Sequence, residues 1–408
     1  MPTFSEIYPI VFLLIAFLTT GWVVMHRYPI TDDEKPRDIQ IDGLRALLAL
    51  GVMCYHYFGI LHMIYSGELA FARTSKITQL LGTWTVPIFF GITAYLFSQR
   101  LARYENQQGR STIKFLVGRL FRLVPTSLLA CLLFLLINIK VYAYVGTSKL
   151  LLYNFEVLVN AALASILYPA PDPHSQLVSD NTWIVASGPQ WTLHYEWMFY
   201  LTLASLSIVT FKKQSVVLPV MIVIFMAFGI EGTQDFFQKW DESTWAFIPG
   251  LILGLTHRYW KNSKYLSHPL TAAVAITAVL ASAFYDKLKV KIPANTLFLA
   301  VVLSNNRATR ILESRLLRSL GETTYSVYML HGLVQYATLK WIVSIPMARS
   351  IPEWLWWMTC ALQVIVIVVI GRLSFEYVEK PGIEAGKRFY AWLLQLIERR
   401  AKWLLNWI

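Results

Sequence analysis

The chain has 408 residues, 56% of them hydrophobic and only 15% charged, against roughly 25% charged in an ordinary soluble chain. A soluble protein of this size needs more charge to cover its surface; disorder, collagen, coiled coil and a small disulfide scaffold are excluded as well, which leaves an all-α polytopic membrane protein. The formal net charge of +12, from 36 Lys and Arg against 24 Asp and Glu, is the feature that so apolar a chain must explain.

The first apolar run, residues 8–25, follows Glu6 and no Lys or Arg. It lacks the basic start and small-residue cleavage site of a secretory signal, so it reads as a retained helix with its N-terminus outside. Further windows near bilayer length lie at 43–62, 79–98, 123–145, 191–211, 215–231, 244–257, 269–285, 292–304, 320–343 and 354–374, which makes eleven expected spans. Segment 149–168 is apolar but carries Asn154, Glu156 and Asn160, and reads as interfacial or partly embedded. The loop 169–190, with Pro169, Pro171 and Pro173 and no Lys or Arg, is long enough to be ordered and functional. After Pro381, residues 383–408 mix Trp392, Trp403 and Trp407 with Arg and Lys, the pattern of a helix on the cytoplasmic membrane face. The expected organisation is an N-terminal span with a linker (1–37), one membrane domain (38–384) and a basic, Trp-rich interfacial tail (385–408).

The distribution of cations orients these spans. With the 26–45 loop inside and strict alternation, 26 of the 36 Lys and Arg fall on the inner side, so the C-terminus is expected in the cytoplasm. Were 149–168 to span, the pair Lys212 and Lys213 would face out. Cys54, Cys131 and Cys360 each lie in an apolar run without metal-ligand spacing, so neither a metal site nor a disulfide frame is expected.

Ionisable side chains inside spans are costly and mark function by default. In residues 41–58, Asp42 and Arg45 lie one helical turn apart, and His56 follows Arg45 by eleven residues. Eleven steps of 100° return to within about 20° of the start, which puts Arg45 and His56 on one face with His56 roughly 16 Å deeper. A histidine there serves either as a proton acceptor or as a hydrogen-bonding strut between helices. Glu196 lies near the expected outer boundary of its span, with His194 on another face and Trp191 and Tyr195 suited to an interfacial belt; structural pairing and function both fit it. His331 falls at a depth similar to His56. Arg119 and Arg122, one turn apart at the end of the 100–122 loop, suit either a bidentate grip on phosphate or ordinary positive-inside anchoring. No P-loop, dinucleotide-binding glycine pattern or serine elbow is present, and the cations are spread over loops, so nucleic-acid binding is not expected.

Taken in order, these stretches resemble the acyltransferase-3 family of integral membrane acyltransferases. Arg45 and His56 match its Arg-x10-His signature. TVPIFFGITAYLFSQR is similar to its second-helix pattern, with Ile92, Thr93 and Ala94 where relatives usually carry Ser-Gly. RLFRLVP matches through Arg119, Arg122 and Pro125; WTLHYEWMFYL through Trp191, Glu196, Phe199 and Tyr200; GETTYSVYMLH through Tyr325, Tyr328 and His331; FEYVEKP through Glu379 to Pro381. The resemblance spans about residues 38–384.

It implies ten core helices, with the N-terminal span as an addition. Many relatives carry a C-terminal extracytoplasmic SGNH-type domain; this chain is expected to act without one, alone or with a separate partner. The implied reaction, in the bacterial inner membrane, takes an acyl group from cytoplasmic acyl-CoA, most often acetyl-CoA, to a hydroxyl of a surface carbohydrate such as O-antigen or exopolysaccharide, or of a lipid-linked glycan. In that scheme Arg45, Arg119 and Arg122 bind the donor, and His56 is general base or transient acyl carrier. Glu196 orients the acceptor or a histidine, His331 lines the cavity, and Asp42, Trp191, Tyr200, Tyr325 and Tyr328 support it. The rival classes are a transporter or flippase for a lipid-linked glycan, with His and Glu as its proton relay, and a scaffold acting through the basic tail.

Overall fold

The structure, a computed structural model, describes residues 7–29, 38–66, 75–103, 108–142, 191–209, 245–282, 284–285, 288–304 and 306–405. Among the described residues there is no strand. Five helical stretches are long and apolar enough to cross a membrane: Ile7–Arg27, Ile39–Ser66, Lys76–Gln99, Thr112–Leu133 and Glu353–Arg399. The chain divides into two compact units, Met1–Arg103 with Leu218–Arg372, and Tyr104–Val217 with Leu373–Ile408.

The first unit contains α1 (Ile7–Arg27), α2 (Ile39–Ser66) and α3 (Lys76–Arg103). In chain order the second unit contributes α4 (Gln108–Tyr142) and α5 (Trp191–Val209). The first unit resumes with α6 (Ile248–Leu255), the single turn α7 (His257–Trp260), α8 (Pro269–Ser282) and α9 (Leu288–Leu303). A 3-10 helix (Arg307–Glu313) leads into α10 (Arg315–Glu322), α11 (Thr324–Trp341), α12 (Ile345–Ser350) and α13 (Glu353–Ser374). A π-helical segment (Phe375–Glu379) and α14 (Lys380–Leu405) belong to the second unit.

In the first unit α2 is the central helix. It is mostly apolar and buried on most sides, from Gln40 to Ile64, the pattern of a helix enclosed by others. It packs against α3, α10, α11 and the 3-10 helix. At its start two backbones come so close that only glycine fits: a Cβ on Gly43 would collide with the Leu312 carbonyl, and one on Gly321 with the Asp42 carbonyl. These contacts fix the first turns of α2, and so Asp42 and Arg45, against α10 and the 3-10 helix.

Polar contacts collect at the two ends of this unit. At one end Lys261 pairs with Asp38 (2.5 Å), Gln40 donates to Glu313 (2.7 Å) and Arg372 pairs with Glu322 (3.3 Å). At the other, Tyr8 donates to Glu353 (2.7 Å) and Arg349 donates to the Ile64 carbonyl. Charged and polar groups at the ends with an apolar body between them are what a bilayer requires of a helical bundle.

Several expected boundaries change. The stretch 100–122 is mostly helix, because α3 runs to Arg103 and α4 begins at Gln108; Arg119 and Arg122 therefore lie three to four turns inside α4 rather than in a loop. The 320–343 window is two helices, α10 and α11, that meet at Thr323. The 244–257 window is the short α6 followed by α7. The tail is helical from Lys380 and continues the preceding helix through the π-helical segment without a break, with Pro381 just beyond that wider turn. Its α14 lies along α4, Phe389 against Phe121 with ring centroids 5.2 Å apart, while Trp392 is exposed. The expected span 215–231, the segment 149–168 and the loop 169–190 lie outside the described residues.

Candidate active site

The first unit brings two of the expected residues into direct contact. His56 on α2 and His331 on α11 meet edge to face, ring centroids 4.9 Å apart at 78°. His331 is fully buried, and its Nδ1 stands 2.6 Å from the Tyr328 carbonyl oxygen of its own helix. A carbonyl only accepts, so Nδ1 carries the hydrogen, and in the neutral ring Nε2 is the lone-pair atom. That Nε2 is buried with no hydrogen-bond partner among the described residues. The packing of α11 on α2 thus leaves a buried lone-pair nitrogen on the ring that meets His56.

Of the remaining motif residues of this unit, the tyrosines lie near the pair and the charged residues lie further along α2. Tyr328 lies against His331 (centroids 5.7 Å) and Phe89 of α3 (6.3 Å), and Tyr325 is buried a turn earlier. Arg45 and His56 share one unbroken helix, so their spacing corresponds to roughly 16 Å along the axis. Asp42 and Arg45 are half-buried in the first two turns of α2.

The second unit gathers the other set around Tyr200. The Tyr200 hydroxyl donates to Glu196 one turn earlier (2.6 Å), and the Arg119 guanidinium lies 5.5 Å from the Tyr200 ring and 5.4 Å from that of Phe115. Contacts of this kind hold a guanidinium against aromatic faces. Reading the sequence separated Glu196, near the outer boundary, from arginines at the inner mouth. Instead Tyr200 links them, because α4 carries Arg119 well inside the helix and the tyrosine spans the remaining distance. Arg122 gives its Nε–H to Glu379 at 2.9 Å, and the Glu379 side chain is fully buried. Trp191 is the first residue of α5.

Sequence reasoning missed two arrangements. The Arg122–Glu379 pair joins two motifs, RLFRLVP and FEYVEKP, that lie 257 residues apart; no local pattern in either names the other. A second polar group surrounds Tyr95, whose hydroxyl meets Asp38 (3.0 Å) and His257 Nδ1 (2.9 Å), with Gln99 2.6 Å from the same nitrogen. The signal available was an Asp and a Lys in two loops that alternation puts on one side.

The chain matches the profile of the acyltransferase domain family over residues 38–372. It is also 23% identical over 399 residues to proteins named Putative O-acetyltransferase in Staphylococcus aureus strains COL, MSSA476 and MRSA252. Those alignments cover 86% of this chain and 58% of each relative, so the chain spans little more than half the length of the relatives it matches. No solved structure matches it. The matched region runs from the start of α2 to the end of the first unit and takes in both histidines, both tyrosines beside them and the arginines of α4: the chain belongs to the acyltransferase-3 family of membrane acyltransferase domains.

Proposed function

We propose that the protein is a membrane O-acyltransferase that moves an acyl group, acetyl in the first instance, from cytoplasmic acyl-CoA to a hydroxyl of a surface carbohydrate or lipid-linked glycan. The observation that carries this reading is the contact of half-buried His56 with buried His331, whose own ring is held by the Tyr328 carbonyl. Acyl transfer to a hydroxyl needs such a base: the hydroxyl proton passes to an imidazole nitrogen of the pair, assigned to His56, as the oxygen attacks the thioester carbonyl carbon. The C–S bond then breaks, and the leaving thiolate takes the proton back, which restores the neutral imidazole.

Donor binding falls to arginines whose guanidinium planes match phosphate. Arg119 is held against the rings of Phe115 and Tyr200, which favours this role, and Arg45 shares a helix with His56. Arg122 contributes charge while its Nε holds Glu379. The protein lies in the bacterial inner membrane with its N-terminus outside and its C-terminus in the cytoplasm, an orientation supported by the 26 of 36 cations that alternation puts inside.

Membrane vesicles containing the full chain, given [14C]acetyl-CoA, test the reading. Label should enter glycan with the wild type and fall to background with His56→Ala. Equal incorporation by the two proteins would remove His56 from the mechanism. Label recovered on histidine in a single turnover would make His56 a carrier rather than a base.

A further inference from the structure

Tyr200 on α5 is buried, and its ring and its hydroxyl are held separately. The ring meets Phe115 of α4 edge to face at 5.5 Å and Trp197 of its own helix at 5.8 Å. The hydroxyl donates to Glu196 at 2.6 Å. Phe115 lies one turn before Arg119 on α4, and the guanidinium stands 5.4 Å from its ring and 5.5 Å from that of Tyr200. Phe115, Tyr200 and Arg119 thus form a closed triangle, and since Arg119 is only half-buried the triangle has an open side. Phe115 shares a helix with Arg119; Tyr200 is the wall that comes from another helix. A phenol bonded to a carboxylate is held against rotation, and its ring face becomes richer in electrons; both favour a cation on that face. Glu196, Arg119 and Arg122 all lie within electrostatic reach of the Tyr200 hydroxyl, and Arg122 is held in turn by Glu379 at 2.9 Å.

We propose that Glu196 and Tyr200 are positioning residues of the donor site: together they set Arg119 to grip a phosphate of the acyl-CoA, and neither handles the acceptor. The inference rests on the reading of the protein as an O-acyltransferase that uses acyl-CoA. The family resemblance alone allotted Glu196 to the acceptor or to a histidine; the bond to Tyr200 commits one of its oxygens to the arginine's support instead. A guanidinium recognises phosphate by the direction of its planar fork as well as by charge. An unrestrained arginine side chain is among the costliest to order, and fixing it in the free enzyme removes that cost from donor binding. The phosphates of CoA are remote from the thioester, so support of this arginine acts on capture of the donor and leaves the chemical step to the histidines. Thioesters that carry phosphate gain from it, and thioesters without phosphate do not.

The test uses the full chain in membrane vesicles of the source cell with two labelled donors, [14C]acetyl-CoA and [14C]acetylpantetheine, a thioester with the same reacting end and no phosphate. Label in glycan is the readout. Tyr200→Leu removes the ring and should raise KM for acetyl-CoA about tenfold, with kcat within about twofold, by weakening roughly one charge-assisted bond. Tyr200→Phe keeps the ring and loses the bond to Glu196, and Glu196→Gln keeps an acceptor and loses the charge; each should raise that KM by only about threefold. Transfer from acetylpantetheine should be the same for wild type and all three variants, which a general structural defect would not allow. In the Arg119→Ala background Tyr200→Leu should raise KM no further, because no guanidinium is left to hold; this comparison serves if transfer from acetylpantetheine is too slow to measure, and Tyr200→Phe stands in if Tyr200→Leu does not fold. A fall in kcat at unchanged donor KM, an equal loss with both donors, or losses that multiply in the Arg119→Ala background overturns the positioning role and leaves the acyltransferase reading intact. No transfer from either donor by the wild type overturns both.

Discussion

His331 meets the edge of His56 at 4.9 Å while its own Nδ1 is tied to the Tyr328 carbonyl, one turn back on the same helix. The backbone bond fixes the tautomer, so the orientation of α11 on α2 decides which nitrogen faces the chemistry. A histidine that contributed packing alone would tolerate an aromatic replacement.

That distinction gives the first prediction. His331→Phe keeps the ring and removes Nε2; it should lower acyl transfer, by less than the roughly 10²- to 10⁴-fold expected for loss of the base His56 itself, with little change in thermal midpoint. Rates of label transfer from [14C]acetyl-CoA check this, and near-normal transfer by the phenylalanine variant would reduce His331 to packing.

Arg122 and Glu379 supply the second. Arg122→Ala leaves the fully buried Glu379 carboxylate without its 2.9 Å partner, and breaking such a pair from one side costs about 3–5 kcal/mol. The double replacement Arg122→Met with Glu379→Leu should recover most of that loss, because no uncompensated charge is left. Denaturant midpoints of the three proteins in detergent report the coupling, and additive losses would show that the pair is not a unit.

Arg119 is predicted to act on the donor. Arg119→Lys keeps the charge but not the planar group stacked on Phe115 and Tyr200, and the two cations are not equivalent at a stacked site. KM for acetyl-CoA should rise roughly tenfold by the loss of about one charge-assisted bond, with kcat far less affected. A fall in kcat alone would move Arg119 from donor binding to the chemical step.

Two glycines should respond in opposite directions. Gly321→Ala drives a methyl into the Asp42 carbonyl and should abolish accumulation of folded protein. Gly118, exposed on α4, has nothing within 4 Å of an added Cβ; Gly118→Ala should raise stability by about 0.5–1 kcal/mol, the helix-propensity difference. Fluorescence-detected size exclusion of the heated proteins distinguishes the cases.

Much of the site could be read from the sequence because its residues stand on long helices at helical spacings. Arg45 and His56 needed only the pitch of α2, and the Tyr328 and His331 pair only that of α11. The extent of α4 was illegible because its first turns are polar: hydropathy marks where lipid begins, not where hydrogen bonding of the backbone begins.

The sequence by itself determined the class of this protein, its family, the helices that carry each motif and the asymmetry of its cations, because bilayer length, helical pitch and charge cost act locally along the chain. Only the tertiary structure decided which motifs meet: His56 with His331, Arg119 with Glu196 through Tyr200, Arg122 with a glutamate 257 residues away. Those contacts depend on which faces of packed helices approach one another, and glycines such as Gly43 and Gly321, which permit the approach, reveal their purpose only once the opposing backbone is in place.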